Sequence, residues 1–110
     1  MPTLRRGELY RVRKPGGNTK DSRVFVVVSR DVLLRSAFST VICAPVFSQG
    51  QRLTTQVALG QAEGLKHPGW IMCDNLTSLR RSDLTDYLGA LSSSKLRELN
   101  EALRSALALD

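Results

Sequence analysis

The run Arg23-Val24-Phe25-Val26-Val27-Val28-Ser29 constrains the fold more than any other part of the chain. It is continuous, apolar and β-branched, and too short for a helix of useful length. Such a run reads as a central strand buried on both faces. A buried strand needs neighbours, and the sequence supplies candidates at regular spacing. Arg6–Val12 alternates and reads as a first strand. Thr40–Phe47 reads as another, with Pro45 placing its end at a sheet edge or a bulge. Thr54–Leu59, Trp70–Cys73, Asn75–Leu79 and Tyr87–Leu91 are shorter candidates. Turn residues punctuate them: Arg13–Ser22 carries Pro15, Gly16, Gly17 and Asn18, and Gly64–Gly69 is a second loop. Asp31 is placed to cap a short helical turn through Arg35.

The period changes after Ser92. Leu96, Leu99, Leu103, Ala106 and Leu107 recur at three- and four-residue spacing, which predicts one amphipathic helix of about four turns with a serine as its N-cap. The expected fold is therefore mainly β with a C-terminal helix, a small curved sheet or half-open barrel. At 110 residues the chain is read as a single domain spanning 1–110. No apolar run approaches the roughly 20 residues of a membrane span, and no signal region follows the basic N-terminus. A cytoplasmic protein without membrane contact is expected. Cys43 and Cys73 lie in apolar runs without metal-ligand spacing, so they are expected to be reduced, partly buried thiols.

The net charge of +6 is unevenly placed. Residues 1–35 hold nine basic and three acidic groups, whereas the remaining 75 residues hold seven of each. Such clustering suits a phosphate backbone through counterion release, and a solvated basic face is the bland alternative. Arg11, Arg13, Lys14 and Lys20 lie at or in the first loop, where they would hold phosphates.

Most catalytic machinery is absent by count. There is one histidine, His67, in a loop before Pro68, where a lone imidazole reads as surface. A two-histidine ribonuclease mechanism is excluded. No His/Cys/Asp/Glu cluster suggests a metal, and no P-loop or Gly-x-Ser-x-Gly elbow is present. No cofactor is expected. Arginine, hydroxyls and amides remain. RNA carries its own nucleophile, the 2′-hydroxyl, so a metal-free cut needs mainly a clamp for the crowded phosphorane. Arginine suits that task through its fixed charge and planar fork. It is a poor proton acceptor, which leaves the general base unassigned.

Four segments in register resemble the MazF/PemK/Kid-type toxins of bacterial toxin–antitoxin pairs. They are Arg6-Gly7-Glu8-Leu9-Tyr10, Ser22–Asp31, Thr40–Val46 and Cys73-Asp74-Asn75-Leu76-Thr77-Ser78-Leu79. The resemblance implies an SH3-like barrel, a homodimer, an acidic-tailed MazE-like antitoxin, and sequence-selective, metal-independent cleavage of single-stranded RNA. Arg23 matches the family's catalytic arginine, and Asn75 falls where the family places an RNA-contacting amide. Two positions depart from the pattern. Val24 stands where proline usually follows the arginine, and Phe47 stands where the family carries its catalytic threonine. Ser48 is the nearest hydroxyl and the candidate replacement. Strand alternation would point it away unless a bulge near Pro45 turned it back. Phe47 itself reads either as core or as a stacking platform for a base. A non-catalytic module that binds RNA or a protein on the same barrel is the alternative.

Overall fold

The computed structural model describes residues 3–13 and 21–110. Among these it shows seven strands and two α-helices. The strands are β1 (Glu8–Arg13), β2 (Ser22–Val27), β3 (Thr40–Phe47), β4 (Gln56–Leu59), β5 (Gly69–Met72), β6 (Thr77–Arg80) and β7 (Asp86–Ala90). The helices are α1 (Asp31–Arg35) and α2 (Ser93–Leu107). The strands form one antiparallel sheet in the order β4-β5-β3-β2-β1-β7, and β6 pairs with β3 beyond the end of β5. The result is a half-barrel with one closing C-terminal helix, as the sequence pattern predicts.

β2 is the central strand, flanked by β1 and β3. Val26 and Val27 point to opposite faces and both have no exposed surface. Each anchors a different core. Val26 packs with Leu9, Ala44, Ile71, Leu99 and Ala102, under α2. Val27 packs with Leu4, Tyr10, Leu34, Val41, Cys43 and Leu84 on the other side. A strand buried on both faces has no polar positions to alternate, which explains its unbroken apolar run.

β2 ends at Val27, two residues before the run does. The backbone N–H groups of Val28 and Ser29 both donate to the carbonyl of Ile42, at 2.9 and 3.2 Å. The Ser29 hydroxyl then accepts from the Ile42 N–H at 2.7 Å. A side-chain oxygen thus takes the place of the next ladder carbonyl and releases the chain into α1. Asp31 is not the cap of α1. Arg30 occupies that position without a side-chain hydrogen bond, and the Asp31 carboxylate accepts from the Arg6 N–H at 3.2 Å. At α2 the expected serine cap is Ser92, whose hydroxyl accepts from the Lys95 N–H at 3.2 Å.

Pro45 lies neither at a sheet edge nor at a bulge. Ile42 turns both backbone groups toward β2, so by alternation Pro45 turns its nitrogen the opposite way. On that side β3 changes partner. Thr40–Cys43 pair with β6, Val46 and Phe47 pair with β5, and Pro45 faces the gap between them. The missing N–H therefore removes no ladder bond. The 3₁₀ turn Cys73–Asn75 carries the chain from β5 to β6. The β2–β3 register runs without a shift from Val27↔Cys43 to Val24↔Val46, so no bulge re-aims Ser48.

Candidate nucleic-acid interface

The site forms where β2 begins and β3 ends. Arg23 and Phe47 stand one step beyond the last registered pair of that ladder, Val24↔Val46. Arg23 is exposed and Phe47 half-buried. The guanidinium carbon lies 4.3 Å above the centroid of the Phe47 ring. This is a cation–π contact, and it restricts a side chain that would otherwise sweep freely through solvent.

The stacked pair is a ridge between two depressions. On one side Arg23, Phe25, Pro45, Phe47, Asn75, Leu76 and Thr77 line a hollow of about 410 Å³. The break in β3 pairing builds this side, because it brings the turn after β5 close to Pro45. The Asp74 carboxylate accepts from the Thr55 hydroxyl at 2.6 Å, and the Thr77 hydroxyl donates to the Asn75 carbonyl at 3.0 Å. Asn75 itself is exposed. On the other side Arg11, Ser22, Arg23, Phe47, Ser48, Lys66, His67 and Pro68 line a hollow of about 320 Å³. Ser48 reaches it without a bulge: β3 stops at Phe47, and Ser48 belongs to the bend that follows.

The two hollows and the ridge thus gather Arg11, Arg23, Phe47, Ser48 and Asn75. Arg11 is held by a hydrogen bond from its Nη1 to the Ser22 hydroxyl at 3.2 Å. Arg13 is not brought to Arg23. It lines a separate hollow with Arg11, Ser82, Asp83 and Asp86. Lys14 and Lys20 lie outside the described residues. Three further groups at the site are not among the sequence candidates: Lys66, His67 and Thr77. Lys66 and His67 arrive through the long-range register Leu59↔Gly69 and Phe47↔Trp70, which no local signal announces. Thr77 sits inside the quoted Cys73–Leu79 segment, two residues after Asn75.

The site is electropositive. Among the described residues the ion pairs are Arg80–Asp83, Lys95–Glu98 and Arg104–Glu101, all away from the ridge. None neutralises Arg11, Arg23 or Lys66. Also among the described residues, no group of three or more His, Cys, Asp or Glu side chains stands together in a metal-binding arrangement. Cys43 and Cys73 are free and fully buried rather than partly so. Burial pushes the Cys43 thiol up to about 12. Burial and then the Asp74 carboxylate push Cys73 up to about 11. Neither thiol is an available nucleophile near neutral pH. No helix among the described residues is long and apolar enough to cross a membrane.

Known proteins resemble this chain along most of its length. Endoribonuclease MazF3 of Mycobacterium tuberculosis is 30% identical over 89 residues, covering 81% of this chain and 85% of the relative. Endoribonuclease MazF1 of Mycobacterium bovis is 28% identical over 104 residues, covering 94% and 92%. A solved mycobacterial endoribonuclease in complex with its cognate antitoxin superimposes with a TM-score of 0.82 at 28% identity, covering 96% of this chain and 95% of that one. The family model for the PemK-like, MazF-like toxin of type II toxin–antitoxin systems matches residues 5–107. With its half-barrel, closing helix and whole-length match, the chain belongs to the PemK-like, MazF-like toxins of type II toxin–antitoxin systems.

Proposed function

We propose that this chain cuts single-stranded RNA at selected sequences, without a metal ion, leaving 2′,3′-cyclic phosphate and 5′-hydroxyl ends. One observation carries the reading: an exposed arginine, unpaired with any carboxylate among the described residues, is held on an aromatic ring between two hollows lined by cations, hydroxyls and an amide. In the reaction the 2′-oxygen attacks the adjacent phosphorus and the bond to the 5′-oxygen breaks. Charge builds on the non-bridging oxygens of the phosphorane. The Arg23 guanidinium forks onto two of them, and a preorganised clamp of this kind contributes about 10²–10³-fold. The Ser48 hydroxyl donates to the same group. Phe47 holds the Arg23 guanidinium in place, Asn75 reads a base edge, and Arg11, Arg13, Lys14 and Lys20 hold flanking phosphates.

The same positive trough suits the acidic tail of a MazE-like antitoxin, which competes with RNA for it. The chain acts as a homodimer. Phe38, Ile42 and Leu107 are 58%, 43% and 52% exposed and border one hollow where α2 ends beside β3. A cluster of large apolar groups in water marks an interaction surface.

Cleavage is tested on a single-stranded transcript in excess chelator. Cutting that persists, with cyclic phosphate ends, supports the reading; loss on chelation refutes the metal-free part. Arg23→Ala lowers the rate by about 10²–10³-fold, and unchanged cutting removes its role. The second reading, a binding module without catalysis, rests on Phe47 at the family's threonine position. Salt-sensitive RNA binding by an intact protein that never cuts favours it.

A further inference from the structure

We propose that His67 is the proton acceptor for the 2′-hydroxyl in this reaction. The inference rests on the nuclease reading above and supplies the base that reading lacks.

The loop carrying His67 is fixed at both ends. Gly64 has a φ of +97°, and a Cβ there would lie 2.2 Å from the Leu88 carbonyl oxygen, so the backbone is pressed against β7. Leu65 then plunges into the main core, 9% exposed. On the far side Gly69 is buried, and a Cβ there would lie 2.7 Å from Val46 Cγ1 and 3.3 Å from the Phe47 carbonyl oxygen. Between these anchors only Lys66, His67 and Pro68 are exposed. Pro68 restricts the backbone of its own residue and of His67 before it. Three residues past His67, Trp70 pairs with Phe47, whose ring carries Arg23. The imidazole is therefore presented over the hollow that Arg23 borders, by a loop with little room to move.

The chemistry of that hollow singles out the imidazole. Its polar side chains are Arg11, Ser22, Arg23, Ser48, Lys66 and His67. Guanidinium and ammonium groups enter the reaction already protonated, and hydroxyls are far weaker bases. Among these side chains the neutral imidazole is the one that offers a ring-nitrogen lone pair to a proton. The three charged groups that line the hollow with it, Arg11, Arg23 and Lys66, are all cationic and suit a phosphate. A phosphodiester clamped by them would lie beside the ring. In the step, the 2′-O–P bond forms as the imidazole nitrogen takes the 2′-proton. The P–O5′ bond breaks, and the leaving oxygen takes a proton from water.

The test compares wild type, His67→Gln, His67→Gly and Arg23→Ala on one RNA, with folding followed by circular dichroism. His67 is exposed, so all variants are expected to melt as wild type does. His67→Gln is expected to cut about 10²–10⁴-fold more slowly with unchanged RNA affinity. Added imidazole is expected to restore cutting by His67→Gly but not by Arg23→Ala. A substrate with sulfur in place of the bridging 5′-oxygen needs no acid at the leaving group. The His67→Gln defect is expected to persist on it; a defect that vanishes there makes His67 an acid and overturns the assignment. Wild-type rates in His67→Gln also overturn it, while leaving Arg23 and the nuclease reading intact. A wild type that cuts nothing removes both.

Discussion

The contact between Arg23 and Phe47 yields a prediction whose size follows from the geometry. If the ring's task is to hold the guanidinium, its value is that of a cation–π pair with one exposed and one half-buried partner at 4.3 Å. Such pairs are worth about 0.5–1 kcal/mol at exposed sites. Phe47→Leu keeps apolar bulk at the end of β3 but removes the π face. Its kcat/KM is therefore expected to fall by about 2- to 5-fold, the ratio equivalent to that energy. Arg23→Ala is expected to lose about 10²–10³-fold. The double variant decides between roles, because a positioning ring has nothing left to position once the arginine is gone. Phe47→Leu should cost nothing further in the Arg23→Ala background. A ring that stacks on a base behaves otherwise: it contributes about 1–3 kcal/mol per base whatever stands at position 23. The assay is single-turnover cleavage of a short fluorescent RNA by all four proteins at one salt concentration. An equal loss from Phe47→Leu in both backgrounds would refute the positioning argument and assign Phe47 to the substrate instead.

Two predictions concern the frame. Leu99 has no exposed surface and locks α2 onto the main core, so Leu99→Ala is expected to cost about 2–5 kcal/mol in urea unfolding. A loss below about 1 kcal/mol would mean α2 is not a structural part of the half-barrel. The second is a loss of stability in alkali. Burial first, then the Glu8 carboxylate, raises Tyr10 from 10.0 to about 12; burial raises Cys43 from 9.0 to about 12; Cys73 rises to about 11. Raised values favour the neutral, folded form. Their stabilisation is complete below the unfolded values of 9.0 and 10.0 and is lost as pH climbs through about 11 and 12. The urea midpoint, measured under reducing conditions, should fall across that window, and less steeply in Tyr10→Phe; a flat midpoint would refute the burial of these groups.

Much of the fold was legible because its signals are local. The β2 run, the serine cap and the leucine spacing of α2 each state their own structure within a few residues. The errors came where a tertiary partner overrode a local rule. Asp31 is a good cap by type, but the Arg6 N–H claims its carboxylate. Val28 and Ser29 continue the β-branched run, but the Ser29 hydroxyl terminates the ladder. The strand expected over Asn75–Leu79 begins only at Thr77, because Cys73–Asn75 must turn across the gap in β3. The site was legible only in part for the same reason. Charge clustering singled out Arg11 and Arg13 alike, and alternation puts both on one face of β1, yet only Arg11 reaches the hollow beside Arg23, while both border the hollow that holds Asp83 and Asp86. His67 read as surface because its neighbours in the chain say nothing about Phe47, and only the β3–β5 pairing brings them together.

Pro45 shows how one residue can set the position of all this chemistry. A residue at that point with an N–H would direct a donor into the gap between β5 and β6, and a donor without a partner there costs about 1–3 kcal/mol. Proline removes that demand, so β3 can hand over from one neighbour to the other in mid-strand. The handover has two consequences. The chain between β5 and β6 must turn beside Pro45, which places Asn75 and Thr77 on one flank of Phe47. β5 must also pair with the last two residues of β3, which draws the Lys66–Pro68 loop to the other flank. Phe47 and the arginine resting on it thus occupy the one place where both flanks meet. The ring at position 47 carries the Arg23 guanidinium at 4.3 Å, and Ser48, in the bend that follows, lines the hollow beside it.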